Sequence, residues 1–311
     1  MSGQLKSEVK EFHDQIIPFK VVDLPGRGKG MVSSRLIKQG DLILTEKPIF
    51  IIPASISSDP VSFVDAKVRE LTEEDRAAFF NLSHADVNIP EEQIPVSIIQ
   101  TNGIAAGSDV GLFPNTARLN HGCSSAFNSV YSWRSNEGLL TVHALKEIPA
   151  GEELLTTYFD TKKPRDQRRE FLKERYKFHC TCKVCSLPSK ESRASDQRLH
   201  SITSLKEKLQ AWGTGKIHGP TAIEIVRQIW KIGDEEGYWS ERGQLAADAA
   251  VVAAAHSEYH ATREWATLSQ EWFGYELGQD SEQVASMAIL AEAPRRHSVW
   301  GTRERVNVGT L

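Results

Sequence analysis

The spacing of apolar and polar residues changes character along this chain. From Phe19 to Pro53 the apolar positions fall in short runs: Phe19-Lys20-Val21-Val22, Leu42-Ile43-Leu44 and Ile49-Phe50-Ile51-Ile52. Pro25-Gly26-Arg27-Gly28-Lys29-Gly30 and Gln39-Gly40-Asp41 separate them. Short runs rich in β-branched and aromatic residues, bounded by glycine and aspartate, predict strands joined by turns. From about 54 to 95 the pattern turns helical. Thr72-Glu73-Glu74-Asp75 offers a capping hydroxyl and first-turn acids before Ala77, Ala78, Phe79 and Phe80, which predicts a helix start. Short strands return between Val96 and Phe159, with candidates at Phe127 to Trp133, Leu139 to Ala144 and Leu154 to Tyr158.

Pro164 opens a charged helix that reaches about Tyr176, and the polar stretch Ser186 to Ser195, with Pro188 inside it, reads as a linker. Beyond it the apolar residues recur at three and four: Leu199, Ile202, Leu205 and Leu209, then Ile225, Val226, Ile229 and Trp230. Leu245 to Leu268 is rich in alanine, and Val284, Met287 and Ala291 form a last stripe. Such stripes are the packing faces of helices. The arginine-bearing tail from Pro294 to Leu311 reads as a solvated, frayed end. The expected class is α+β: a β-rich part with a helical insert, followed by an all-helical C-terminal domain.

Composition narrows the classes of function. The chain has 311 residues, 25% of them charged, with 37 basic against 41 acidic side chains and a formal net charge of −4. A protein that coats nucleic acid normally carries a basic surplus, so no direct nucleic-acid binding is expected. The longest purely apolar stretch is Ala249 to Ala255, well short of the roughly 18 to 20 residues that span a bilayer. Met1 to Lys10 is polar, unlike a signal peptide. Membrane, secreted, collagen-like and largely disordered proteins are excluded on these grounds. A monomer in the cytoplasm, the nucleus or both is expected, since no basic cluster marks nuclear import.

Three of the four cysteines, Cys180, Cys182 and Cys185, sit within six residues as Cys-Thr-Cys-Lys-Val-Cys. Neighbours so close rarely meet the geometry of a disulfide, and His179, Thr181 and Lys183 make their surroundings polar. A closed structural zinc site needs about four thiolate or imidazole ligands. The trio supplies three. Cys123 is the expected fourth, with His179 as a competitor whose adjacency to Cys180 is awkward. A shared ion would pin Asn120-His121-Gly122 against the region of Tyr158, Tyr176 and Phe178.

The glycine loop Gly26-x-Gly28-x-Gly30 fails the tests for a phosphate cradle. Gly30 stands where a Walker loop needs Ser or Thr, and Met31-Val32-Ser33-Ser34 looks extended rather than helical. Two readings remain: a tight turn, or a loop whose bare backbone approaches a ligand.

Taken in order, Gly28-Lys29-Gly30, Asn120-His121-Gly122-Cys123, Gly151-Glu152-Glu153-Leu154-Leu155-Thr156-Thr157-Tyr158 and Cys180-x-Cys182-x2-Cys185 resemble a SET-domain protein-lysine methyltransferase with a post-SET zinc loop. The likeness is greatest to fungal SET proteins related to the SET-and-MYND group, and it covers about Phe19 to Pro188. The MYND finger is absent, because the insert contains no cysteine. The resemblance implies a leader (1–18), a SET domain (19–178, insert about 54–95), a post-SET zinc loop (179–188), a helical domain (196–293) and a tail (294–311).

It also implies roles. Gly28, Lys29 and Gly30 would lie along S-adenosylmethionine, Asn120 and His121 would hold its amino-acid and ribose parts, and Asn102 would add a contact. Tyr158 would be the catalytic tyrosine, Tyr176 the wall of the lysine channel and Phe178 the cover over adenine. Cys123, Cys180, Cys182 and Cys185 would bind structural zinc. The implied partner is a protein or peptide lysine, in a histone or another protein.

The chain departs from the family pattern in three places. Asn-His-Gly-Cys-Ser-Ser-Ala-Phe-Asn replaces Asn-His-Ser-Cys-Asp-Pro-Asn, so Asn128 is displaced by two residues. Ala117 stands where relatives often carry a polar residue, and Phe159 where many carry glycine. Two other functions compete. A non-catalytic SET scaffold would bind partners through the helical domain; the retained Tyr158 and Asn-His pair weigh against it. A zinc hydrolase would need an open metal position, which four thiolates do not leave.

Overall fold

The computed structural model describes residues 17–55, 59–86 and 88–311. Most of the leader expected at 1–18, and small parts of the insert, lie outside the described residues. The chain begins with β1 (Phe19–Leu24) and β2 (Gly28–Ser33), an antiparallel hairpin in register from Phe19↔Ser33 to Leu24↔Gly28. Its turn holds Gly26 at φ +70 and Gly28 at φ +67, a region that glycine enters without a Cβ clash. β3 (Leu42–Glu46) and β4 (Phe50–Ile52) follow.

The insert folds as α1 (Pro60–Glu70), α2 (Glu73–Phe80) and α3 (Ile94–Asn102). Asp59 caps α1 by accepting from the Ser62 N–H at 2.9 Å, and Thr72 caps α2 by accepting from the Asp75 N–H at 3.1 Å. These bonds satisfy backbone donors that a helix start leaves unpaired. Phe79 packs with Val64, Val68, Ile98 and Leu112 in the core of this layer. The helical segment therefore runs to Asn102, past the boundary read at 95, and residues 96–102 are not strand. A short apolar run cannot be told from a buried helix by periodicity alone, and Pro95 suits a helical first turn.

Next come β5 (Ile104–Ala106), β6 (Asp109–Leu112), β7 (Asn120–His121), β8 (Ser129–Arg134), β9 (Leu139–Ala144) and β10 (Leu155–Thr156). Two three-stranded sheets form, in the orders β3-β9-β8 and β4-β6-β5. β7 and β10 pair in parallel, with Leu155 beside Asn120 and Thr156 beside His121. That short pairing sets Asn120-His121 next to the strand that leads into Tyr158.

α4 (Arg165–Tyr176) ends at Lys177, whose left-handed φ of +58 turns the chain toward the cysteine trio. α5 (Ser189–Gln210) starts inside the stretch read as a linker. Ser192 and Ser195 are buried, and Asp196 accepts from the Arg165 N–H and pairs with the buried Arg168 at 3.0 Å. Small polar residues thus occupy the packing face, which conceals it from a hydrophobic pattern. α6 (Gly219–Glu236), α7 (Arg242–Ala255), α8 (Tyr259–Leu277) and α9 (Glu282–Glu292) complete the helical part. Their core continues into the β-rich part through Phe127 and Leu145. Among the described residues no helix is long and apolar enough to cross a membrane.

The tail corrects the expectation of a frayed end. Val308 joins the helical core, Trp265 Nε1 donates to the Gly309 carbonyl at 3.2 Å, and Arg227 Nε donates to the Thr310 carbonyl at 2.6 Å. One of its arginines is used inward: Arg303 lies 4.0 Å from the Trp212 ring centre and donates to the Trp212 carbonyl. Removing residues 308–311 should lower the unfolding free energy by about 2 kcal/mol, from one buried valine and the orphaned Trp265 and Arg227 donors. Urea unfolding measures this, and an unchanged midpoint at unchanged slope would refute it.

Candidate active site

The sulfur atoms of Cys123, Cys180, Cys182 and Cys185 all lie within 4.8 Å of one another. Cys123 arrives from the end of β7, and the trio from the loop after α4. His179, the competing fourth ligand, lies on a cleft wall outside this group. Bonds of about 2.3 Å from a tetrahedral zinc ion hold its sulfurs about 3.8 Å apart, and Cys123 Sγ is 3.6 Å from Cys185 Sγ. Hydrogen bonds among the four sulfurs push the Cys182 thiol far down and the Cys123 thiol far up. Four convergent sulfurs, three of them buried, suit a closed structural zinc site.

Beside the cluster opens a cleft of about 800 Å³. Its walls are the β1–β2 turn, the end of α3, residues 116–121 and the loop that carries the cysteine trio. Gly28, Lys29, Asn102, Asn120, His121, Tyr158, Tyr176 and Phe178 all line it. Gly30 stands behind that wall. A Cβ there would meet Leu24 Cδ1 at 2.5 Å and Asn120 Nδ2 at 2.7 Å, so its bareness admits Asn120 rather than a ligand. Gly26 and Gly28, by contrast, have nothing within 4 Å of an added Cβ.

Each polar side chain is held from behind. Asn120 Nδ2 donates to Glu153 Oε1 at 2.9 Å and to the Lys29 carbonyl at 3.3 Å. The other oxygen of Glu153 pairs with Arg27. Asn102 Nδ2 donates to the Ser83 and Ile98 carbonyls, each at 2.7 Å. His121 is 2% exposed, and burial lowers its pKa to about 4, so the ring is neutral at ordinary pH. Its Nδ1 accepts from the Tyr158 N–H at 3.1 Å, which leaves the proton on Nε2, 3.1 Å from Cys123 Sγ. One imidazole thereby ties the sulfur cluster to the backbone of Tyr158.

The Tyr158 hydroxyl donates to the Leu119 carbonyl at 3.0 Å. Its ring lies 4.9 Å from that of Tyr176 and 5.3 Å from that of His121. Burial, helped by Tyr176, raises the Tyr158 pKa, so the phenol stays protonated at neutral pH. Phe159 stacks on His121 at 5.4 Å. Ala117 lies in the cleft wall.

The sequence reading missed Arg27, Glu153, Tyr131 and the Leu119 carbonyl. Tyr131 lines the cleft from β8. Strand alternation could have suggested that it points inward, but nothing local marks the cleft. The partner of Asn120 could not be read without the fold, since Glu153 is 33 residues away.

Residues 28–159 match the family model described as the SET domain. The histone-lysine N-methyltransferase set5 of Schizosaccharomyces pombe is 28% identical over 294 residues, covering 90% of this chain and 86% of that protein. The N-lysine methyltransferase SMYD2 of Gallus gallus is 28% identical over 177 residues, covering 54% of this chain and only 36% of its own. The solved structure of Rubisco LSMT bound to AdoMet aligns with 97% of this chain and 95% of that one, at 13% identity and a TM-score of 0.40. Over residues 28–159 the chain is thus similar to SET-domain proteins.

Purified protein should carry about one zinc per chain, a closed four-thiolate site being a tight one. Cys182→Ser should lower that content well below half. Metal analysis by plasma mass spectrometry decides, and full zinc in the variant would remove Cys182 from the ligand set.

Proposed function

We propose that this protein is a protein-lysine N-methyltransferase that uses S-adenosylmethionine, with Cys123, Cys180, Cys182 and Cys185 holding a structural zinc ion. The observation that carries the reading is the convergence of Asn120, His121, Tyr158, Tyr176 and Phe178 on one cleft beside the sulfur cluster. The residues suit the cofactor's chemistry. Open space over Gly26 and Gly28 admits a ligand against bare backbone. The Asn120 amide, its nitrogen held by Glu153 and Lys29, keeps its oxygen for an ammonium group. Phe178 offers an aromatic face to a purine. Bound S-adenosylmethionine supplies a methyl group on a positively charged sulfur.

The chain's own residues prepare the acceptor. A free lysine has a pKa of about 10.4, yet only the neutral amine has a lone pair to form the new carbon–nitrogen bond. Tyr158, Tyr176 and Tyr131 surround the amine with aromatic surface, which disfavours the ammonium by desolvation. They also align nitrogen with the methyl carbon, replacing a random encounter by a fixed approach. The carbon–sulfur bond breaks as the carbon–nitrogen bond forms, its electron pair stays on sulfur, and the proton lost by nitrogen goes to water. Tyr158 donates to the Leu119 carbonyl, so its oxygen lone pairs are free to face the amine and the methyl group. Its raised pKa makes it an orienting group, not a base. A zinc ion held by the four cysteines would steady the loop that carries Phe178 and supply no chemistry to bond making.

The set5 name points to histone lysines, whereas the SMYD2 name specifies a lysine without the protein that carries it. Incubating the protein with a labelled methyl donor and cell extract, then analysing labelled bands by mass spectrometry, identifies the acceptor. Methylated lysine is expected; label on another residue type, or none, would contradict the reading. Tyr158→Phe should lower turnover by about 100-fold, as the loss of one oriented group in a dry site typically does, while binding of S-adenosylhomocysteine persists. Normal methylation by this variant would reject its role. Glu153→Ala, which frees the Asn120 amide, should raise KM for the cofactor by about tenfold with kcat nearly kept. A fall in kcat at unchanged KM would place Glu153 elsewhere in the mechanism.

A further inference from the structure

Between Cys123 and Phe127 the backbone makes a cramped turn. Ser124 is fully buried and sits at φ +43, a region that residues with a Cβ occupy only where their surroundings enforce it. Two bonds hold it. Its N–H donates to Thr161 Oγ1 at 3.1 Å, and its hydroxyl donates to Glu236 Oε1 at 2.6 Å. Glu236 is the last residue of α6 and is 7% exposed. The same Oε1 accepts from the Ser195 hydroxyl at 2.6 Å, and Oε2 accepts from Arg198 Nε at 2.9 Å. Next to it, Lys146 Nζ donates to the Ser125 carbonyl at 2.9 Å and to the Gly237 carbonyl at 2.7 Å. The segment that follows Asn120-His121-Cys123 is thus clamped to the end of a helix more than a hundred residues away.

We propose that Glu236 is a positioning residue for the cofactor wall: its carboxylate fixes Ser124, and through Ser124 the orientation of Asn120 and His121. The proposal rests on the reading of the cleft as the S-adenosylmethionine site. An acid at a helix C-terminus is unfavourable for the helix itself, because the helix dipole is negative there. A buried carboxylate is also costly unless it is fully hydrogen-bonded. Glu236 meets both costs with donors from two other elements, and charged acceptors make the stronger, more directional bonds. The helical domain then belongs to the active site and is not only a surface for partners.

A second contact between the two parts separates positioning from simple docking. Arg134 on β8 pairs with Asp280 at 2.6 Å, and neither residue lines the cleft. Titration calorimetry with S-adenosylhomocysteine compares wild type, Ser124→Ala, Ser124→Gly, Glu236→Ala, the Ser124→Ala/Glu236→Ala double variant and Asp280→Asn. Each protein is first checked for zinc content and cooperative unfolding. The expected result is measurable wild-type binding, about tenfold weaker binding in each Ser124 and Glu236 variant, and no further loss in the double variant, because both changes break the same Ser124–Glu236 bond. Asp280→Asn should bind as wild type does. Should Glu236→Ala fail to fold, the Ser124 variants decide, since glycine accepts φ +43 without strain. The proposal is overturned if folded, zinc-loaded Ser124 variants bind as tightly as wild type, or if Asp280→Asn weakens binding equally. Failure of the wild type itself to bind would instead overturn the reading of the cleft.

Discussion

The arrangement depends on four sulfur atoms meeting. Cys123 belongs to the β-rich part, and the other three cysteines follow α4. A single tetrahedral ion can hold such a group only if both stretches of chain are already close, and once bound it resists their separation. Everything that lines the cleft on that side is then fixed. Asn120 and His121 precede one ligand, and Tyr176 and Phe178 precede the other three.

The hydrogen bonds extend this constraint inward. His121 touches the sulfur cluster with one ring nitrogen and the Tyr158 backbone with the other. A neutral imidazole can serve both, as donor and as acceptor, whereas a protonated ring would lose the acceptor. Burial keeps it neutral. The parallel pairing of β7 with β10 supports the same juxtaposition from the backbone. Sulfur clustering, side-chain bonding and strand pairing thus agree on one placement for the tyrosine, and such agreement between levels is what allows a site to be rigid.

Much of this is legible in the sequence. The cysteine quartet was legible because zinc ligation restricts residue type and spacing severely. The capping of α2 by Thr72 and the β1–β2 turn were legible because both are local. What escaped was long-range or lacked apolar contrast. Ser192 and Ser195 hide the start of α5 because small hydroxyl residues can occupy a packing face. The tail reads as solvated because its arginines are charged, whereas Arg303 lies against Trp212. Glu153 behind Asn120, and the Leu119 carbonyl that receives the Tyr158 hydroxyl, had no local signal. A backbone carbonyl has no letter of its own, and its role appears only in the fold.

The most direct test of the central claim is to strip the metal and measure cofactor-site affinity before and after zinc is restored. Calorimetric titration of S-adenosylhomocysteine into the two forms of the same preparation reads it out. If the sulfur cluster assembles the cleft, the zinc-loaded form binds one ligand per chain and the stripped form binds at least about tenfold more weakly, with recovery on adding zinc. Equal affinity in both forms would mean that the cleft stands without the cluster, and the account would be wrong at its base.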